Sequence, residues 1–336
     1  MQEKFGRKAF NITPETFVLP DEFADFFSFF HKEKNKEGRK PLWIIKPHAK
    51  SQGKGIYLID DINEINLDEP CVVSKYIPNP LLINGHKFDL WVYVLVTSYD
   101  PLRVYVYKEG LTWFATEAYT TNQSKKNRYI HLTNSSLNKK SDKYVHNENN
   151  NRDDYGFKWS ITALCRHLEQ IGIDMNLLWS KCYDVIIKSL LCGEHPVISA
   201  MKRNCSYRTN CFELYGFDIL IDSDLKPWLL EINLSPSLNP DDSPLDHVIK
   251  SNLVADAFNL VGLTRFDWRW ESMNKMRNRM KQGSNKVKTY KSGTAKQLMD
   301  DEDEELTFNN LPKDLERDID VSDNTDQNKE QLKKLA

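Results

Sequence analysis

Several short stretches carry residue types suited to a phosphorylated, metal-bound ligand. The most informative is FELYGFDILID (212–222), followed by WLLEINLSPS (228–237). A turn at 223–226 between two strands sets Asp218 opposite Glu231 and Gly216 opposite Asn233. Alternation then sends Asp218, Glu231 and Asn233 to one side of the sheet. Two carboxylates and an amide oxygen form the hard-oxygen set that Mg²⁺ prefers when phosphate oxygens and water complete its shell. Opposed acids repel without a cation; the plainer alternative is a solvated strand face. Lys46 ends an apolar strand and precedes KSQGKG (50–55), where glycines let backbone N–H groups close on an anion and lysines add charge. No G-x-x-x-x-G-K-[ST] is present, so this is no Walker loop, and an ordinary glycine turn is the alternative. Lys87 and Asp89 share one strand face; a lysine suits phosphate and an aspartate a ribose hydroxyl, although surface ion pairs look the same. Thr133 and Asn134 follow YIHL (129–132) and offer small polar groups. Together these residues outline a cleft for a magnesium nucleotide.

The elements that must position them are legible from periodicity. A helix with Phe23, Phe26, Phe27 and Phe30 at 3–4 spacing starts at Pro20-Asp21. Strands are expected over 42–46, 56–59, 71–77 and 88–97, then 103–107 after a turn at Asp100-Pro101, and 111–116. Residues 138–158 read as a polar loop. Helices follow at 161–171 and 177–191, strands at 212–221 and 228–233, and a helix at 244–261. Ser243 caps that last helix, Pro244 suits its first turn, and Asp246 holds the place of a capping-box acid. The order suggests an α+β fold of two lobes. With 336 residues, 40% hydrophobic and 28% charged, the chain supports a real core and is neither a disulfide-stapled miniprotein nor disordered throughout. Its apolar runs fall short of the ~20 residues of a membrane helix, and MQEKFGRKAF lacks the apolar segment of a signal peptide. The six cysteines (71, 165, 182, 192, 205, 211) contain no C-x-x-C pair and read as reduced, buried thiols of an intracellular protein.

The net charge of −2 is unevenly spread. Residues 265–291 carry nine Lys/Arg against Asp267 and Glu271, whereas 300–336 carry thirteen acids against five bases. The first is a basic segment and the second, by composition, a disordered acidic tail. No nucleic-acid module accompanies the basic run, so nucleic acid is not expected as a partner.

From about 10 to 262 the chain resembles the tubulin tyrosine ligase-like family, and within it the tubulin polyglutamylase branch. The matching text is WIIKPHAKSQGKGIYLI, VVSKYIPNPLLINGHKFDLWVYVLVTSYDPLRVYVYKEG, YIHLTNSSLNKKS and CFELYGFDILIDSDLKPWLLEINLSPSL. The resemblance implies an ATP-grasp fold whose two lobes close on ATP, with lobes at 1–77 and 78–263, a tubulin-binding basic segment at 264–295 and a tail at 296–336. It implies ATP contacts from Lys46, Gln52, Gly53, the hinge residues Ser74, Lys75, Tyr76 and Ile77, and Lys87, Asp89, Thr133 and Asn134. It further implies Mg²⁺ on Asp218, Glu231 and Asn233, with Lys46, Lys87 and Glu231 central to catalysis and Ser136 and Lys250 near the incoming amino acid. The implied activity is ATP-dependent ligation of L-glutamate to glutamate side chains of tubulin C-terminal tails through an acyl phosphate. The implied setting is a monomer on microtubules, in cytoplasm or cilium, away from membranes.

The chain departs from the family pattern where arginines are usual. Trp91 stands two residues after Asp89, and Trp113 three after Gly110. Tryptophan makes no bidentate contact to an anion, so the other expectation is a catalytically weak or inactive microtubule-binding pseudoenzyme, unless Arg103 or Lys108 substitutes. An ATP-grasp ligase acting on small molecules is a third, less favoured by the basic segment. A further N-terminal lobe of the family is also expected to be missing.

Overall fold

The computed structural model describes residues 1–36, 41–48, 50, 52–120, 125–147, 152–205, 211–262 and 272–279. The chain divides into two compact units, Met1–Leu263 and Thr264–Ala336. Of the second, only a helical stretch over 272–279 is described. The rest of the basic segment and the acidic stretch 296–336 lie outside the described residues.

After a short α1 (Gln2–Phe5) come β1 (Thr16–Leu19), α2 (Phe23–Lys36), β2 (Trp43–Pro47), β3 (Tyr57–Ile59) and β4 (Cys71–Lys75). The strands form an antiparallel sheet in the order β1-β4-β2-β3. Alternation in β2 and β4 sends Trp43, Ile45, Cys71 and Val73 inward, against Phe26 and Phe30 of α2. Trp43 is fully buried and meets Phe26 edge-on at 5.0 Å, a geometry that adds to simple area burial. β1 was not legible in the sequence: four residues between Pro14 and Pro20 are too few to display a period, and pairing with β4 makes them a strand. The helix correspondingly begins at Phe23, not at Pro20.

The second sheet begins with β5 (Leu82–Ile83), β6 (His86–Tyr99) and β7 (Leu102–Phe114). After α3 (Arg128–His131) and α4 (Ser135–Asn138) come β8 (Lys158–Ser160), α5 (Ile161–Gln170) and α6 (Met175–Asn204). β9 (Glu213–Ile221), β10 (Pro227–Leu234) and α7 (Pro244–Val261) complete it. Its order is β10-β9-β6-β7-β8, with β5 on β6. The separate strands expected at 103–107 and 111–116 are one, β7, whose register against β6 slips between Val106 and Gly110. Lys108 and Glu109 break the alternation there without ending the strand. α6 also outruns its expected end at 191, continuing through Pro196. Proline removes one helical hydrogen bond, and packing of Val197, Ile198 and Met201 on the core holds the extra turns.

One face of this sheet, with Leu90, Val92, Val94, Phe217 and Ile219, packs on α5 and α6. The other face, with Tyr93 and Leu111, meets Ile249 and Leu253 of α7. Gly110 lies where no side chain fits: an added Cβ would stand 2.4 Å from the Trp91 carbonyl oxygen and 2.7 Å from Ile161 Cδ1. Gly110→Ala is therefore expected to cost about 2–3 kcal/mol, an overpacking penalty measurable by urea unfolding. All six cysteines are free, but only Cys71 and Cys182 are buried and Cys192 is exposed, which corrects the expectation of buried thiols. No helix among the described residues is long and apolar enough to cross a membrane.

Candidate functional site

The β9–β10 hairpin opposes Asp218 to Glu231 and Gly216 to Asn233, by a route unlike the regular turn expected. The Asp222 N–H donates to the Lys226 carbonyl at 3.0 Å and closes a turn of three residues, Ser223 to Leu225. The Asp222 carboxylate accepts from the backbone N–H groups of Asp224 and Lys226 at 3.0 and 2.9 Å, and from Trp228 Nε1 at 2.8 Å. Pairing near the loop is thus offset by one residue, Leu229 facing Ile219, until a bulge at Leu230 restores it. A bulge places one extra residue on its strand. Here it turns Glu231 out of the core-facing side and into line with Asp218, and Lys46 Nζ of β2 donates to the Leu230 carbonyl at 3.2 Å. Asn233 Nδ2 lies 3.3 Å from Glu231 Oε1.

Asp89 sits diagonally from Asp218 on the same face, since Trp91 pairs with Asp218. The Thr133 hydroxyl donates to Asp89 Oδ2. Lys87 is 5% exposed, donates to the His131 carbonyl at 2.8 Å and lies over the Tyr76 ring at 5.1 Å. Tyr76 in turn meets His131 Nδ1 at 3.0 Å. Arg128 donates to the Gly53 carbonyl, and a Cβ on Gly53 would lie 2.8 Å from Asn134 Oδ1. Lys46, Gly53, Tyr76, Lys87, Asp89, Thr133, Asn134, Asp218, Glu231 and Asn233 therefore line one seam between the two sheets. Gln52 is exposed beside Gly53, with φ +63°. The Ser74 hydroxyl instead meets Thr16 at 3.0 Å and the Lys75 ammonium meets Glu33 at 2.5 Å, so both side chains are turned toward β1 and α2. Ile77 follows β4 and, with Lys75, Tyr76, Asp222 and Trp228, lines a cavity of about 250 Å³.

The electrostatics are those of an acidic face short of positive charge. Burial pushes the Asp218 carboxyl well above the usual carboxylate range; Glu231 and Asp89 push it further, against Lys46. Burial likewise raises Asp89, opposed by Lys87, Thr133 and Lys46, and burial lowers the Lys87 ammonium. Asp89 Oδ1 and Asp218 Oδ1 are buried without a hydrogen-bond partner. A divalent cation would answer both the missing partners and the repulsion. Among the described residues no three Asp, Glu, His or Cys side chains converge as a complete metal shell. Two carboxylates and an amide oxygen suit Mg²⁺, which keeps water and phosphate oxygens in its shell.

Trp91 and Trp113 lie on this same sheet face. The Trp91 ring covers Gly216, whose added Cβ would stand 3.1 Å from it, next to Pro236. Arg103 is exposed and pairs with Ser98, seven residues along the strand from Trp91, or roughly 23 Å. Lys108 is exposed in the irregular stretch. Neither stands in for the arginines. The cation beside Trp113 is Lys158 of β8, its Nζ 4.1 Å from the ring centroid. Lys158 lay in the expected polar loop; its only signal was its place between Phe157 and Trp159. It pairs with Asp246, which stands at the capping-box place, its N–H donating to Ser243 Oγ at 3.2 Å, while its buried carboxylate accepts from the Ser243 hydroxyl and also holds Lys250 at 3.0 Å. Ser136 is half-buried in α4. Arg128, His131 and Tyr93 also escaped the sequence, being identified only by contacts between elements.

Lys46 of the first sheet and Lys87 of the second, set against the carboxylates of β6, β9 and β10, are the parts of a site for a polyanionic ligand with its cations. The chain belongs to the tubulin-tyrosine ligase family, whose model matches residues 1–269. It is 49% identical over 263 residues to tubulin polyglutamylase TTLL5 of Homo sapiens, covering 78% of this chain and 20% of that protein. It is 43% identical to tubulin polyglutamylase ttll-5 of Caenorhabditis elegans, covering 78% and 37%, and 40% identical to tubulin monoglutamylase TTLL4 of Mus musculus, covering 78% and 22%. The chain thus spans about a fifth to just over a third of the length of these curated relatives.

Proposed function

We propose that the chain is an ATP- and Mg²⁺-dependent ligase of ATP-grasp fold that joins L-glutamate to glutamate side chains in tubulin C-terminal tails. The observation that carries this is the Asp218–Glu231–Asn233 face opposed by Lys46 and Lys87, in a chain 49% identical to a tubulin polyglutamylase. Asp218, Glu231 and Asn233 would hold Mg²⁺, which supplies charge neutralisation to the phosphates. Lys46 and Lys87 fix the phosphates, Asp89 and Thr133 the sugar, and residues 74–77 the base. An acceptor carboxylate attacks the γ-phosphorus and releases ADP; the amine of free glutamate then attacks the acyl carbon, phosphate leaves and an amide remains. The lysines stabilise charge that develops during phosphoryl transfer, where fixed charges act most strongly. The basic segment 264–295 would raise encounter rates with acidic tails, on microtubules and as a monomer.

A second function is favoured by one observation, the two indoles at Trp91 and Trp113: a microtubule-binding protein of the same fold without turnover. The test is incubation with tubulin, Mg-ATP and labelled glutamate. Label in tubulin that vanishes with Glu231→Gln is the expected result. Silence from the native chain with label gained on Trp91→Arg would establish the second function instead, and silence from both would reject ligation by this chain.

A further inference from the structure

Away from the seam, two thiols stand against each other. Cys205 caps the C-terminal end of α6, Cys211 stands just before β9, and their Sγ atoms are 3.4 Å apart. A disulfide bond is about 2.05 Å long, so the sulfurs need to approach by only about 1.4 Å. Both residues are half-buried and reachable from solvent. The remaining cysteines are placed differently. Cys71 and Cys182 are buried, Cys165 accepts from Trp179 Nε1 at 3.4 Å, and Cys192 is exposed on α6.

Regular structure holds each sulfur in place. The Cys205 N–H donates to the Met201 carbonyl at 2.9 Å, at the end of a helix whose Val197, Ile198 and Met201 pack on the core. Cys211 leads into β9, which is paired on both sides, with β6 and with β10. The two cysteines are five residues apart in the chain, 206–210 lying between them. Once one sulfur is engaged, the other therefore attacks at the high effective concentration of a short link. The negative end of α6 opposes a thiolate at Cys205, and Lys202 and Arg203 of its last turn offset that. The hydrogen bond with Cys205 holds the Cys211 thiol above its ordinary value. Cys211 thus keeps its proton and is the resolving thiol, and Cys205 is the attacking one. Asp218 is seven residues farther along, on the order of 20 Å away, so the pair is separate from the acidic face.

We infer that Cys205 and Cys211 form a modification site that reacts with small disulfides of the glutathione class and closes to an intramolecular disulfide, tying the end of α6 to the start of β9. The Cys205 thiolate attacks one sulfur of the small disulfide. A mixed disulfide forms on Cys205, and a small thiolate leaves and takes up the proton that Cys205 gave away. Cys211 then attacks the Cys205 sulfur, the second small thiol departs with the Cys211 proton, and the protein disulfide remains. Two protein thiols are oxidised and one small disulfide is reduced to two thiols. The exchange is independent of the ligase function proposed above.

The test is incubation of the full chain with graded ratios of oxidised to reduced glutathione, followed by alkylation, digestion and mass spectrometry. Cleavage after Arg208 leaves two peptides that only the sulfurs can join. The joined peptides are expected to appear about 10-fold faster than glutathione adds to Cys192, and dithiothreitol should separate them. Oxidation should raise the melting temperature by about 5 °C and slow hydrogen exchange in peptides spanning 211–216. Cys211→Ser should instead keep glutathione as a stable adduct on Cys205 and lose the rise in melting temperature. A native chain that yields no joined peptides overturns the inference, whether or not Cys192 carries glutathione. Separate adducts on Cys205 and Cys211 overturn it as well. A link that forms with no rise in melting temperature and no slowing of exchange would overturn the tie between α6 and β9.

Discussion

Glu231→Gln is expected to raise stability and abolish transfer together. In the cation-free chain Glu231 faces Asp218 directly, and burial and Glu231 both force the Asp218 carboxyl upward. Removing one of two opposed like charges relieves up to about 1 kcal/mol, a rise of about 2–3 °C in melting temperature for a unit of this size. The same change removes a hard ligand and a negative charge from the proposed magnesium site, and glutamate transfer should fall by about 100-fold or more. Thermal unfolding and labelled-glutamate transfer on the same preparation check both halves. A variant that melts lower and still transfers would show that the pair is not electrostatically frustrated and not catalytic.

The pH dependence has a definite sign. Asp218 titrates higher in the folded chain than in the unfolded chain, so between the ordinary carboxylate value of about 3.9 and the raised folded value the native state binds more protons. Stability from this group is therefore lost as pH rises through that window. Glu231→Gln should flatten the slope, and saturating Mg²⁺ with nucleotide should cancel it, because the cation replaces the proton. A cation-free chain whose melting temperature is level from about pH 4 to 7 in the native form and steep in the variant would contradict this assignment.

The second large effect is an asymmetry between two substitutions that look equivalent in sequence. Trp113→Arg places a third cation against Lys158 and Lys250, whose single carboxylate Asp246 is already shared. An uncompensated buried charge costs about 3–5 kcal/mol, and the melting temperature should fall on the order of 10 °C. Trp91→Arg instead opposes Asp218 and gains a counter-charge, though it gives up the ring packing over Gly216 and Pro236. Its melting temperature should stay within a few degrees of the native value. Equal losses from the two would show that Lys158 carries no surplus charge.

Much of the chemistry was legible because it depends on local alternation. Side chains two apart share a strand face, so Lys87, Asp89 and Trp91 belong together wherever the strand lies. Ser243 and Pro244 likewise announce α7 where it forms. The opposition of Asp218 and Glu231 was also anticipated, yet through a regular four-residue turn. The molecule reaches it with a shorter loop and a bulge whose offsets cancel. A bulge has no signature in alternation, because it depends on which neighbouring carbonyls find donors, and Leu230 finds Lys46 from the other sheet.

Residue types and their two-residue spacing thus determined by themselves which side chains could form an acidic face and which lysines could oppose it. Tertiary structure alone decided that β1 and β8 are strands, that β7 is continuous and that α6 runs through Pro196, since each is held by partners distant in sequence. It also decided that Asp246, besides bonding the Ser243 cap, binds two lysines, and that the cation beside Trp113 is Lys158. Charge pairing across elements has no local period. A buried ammonium is held only where the fold brings a carboxylate to it, and that meeting depends on how β8 and α7 pack, not on the residues flanking either one.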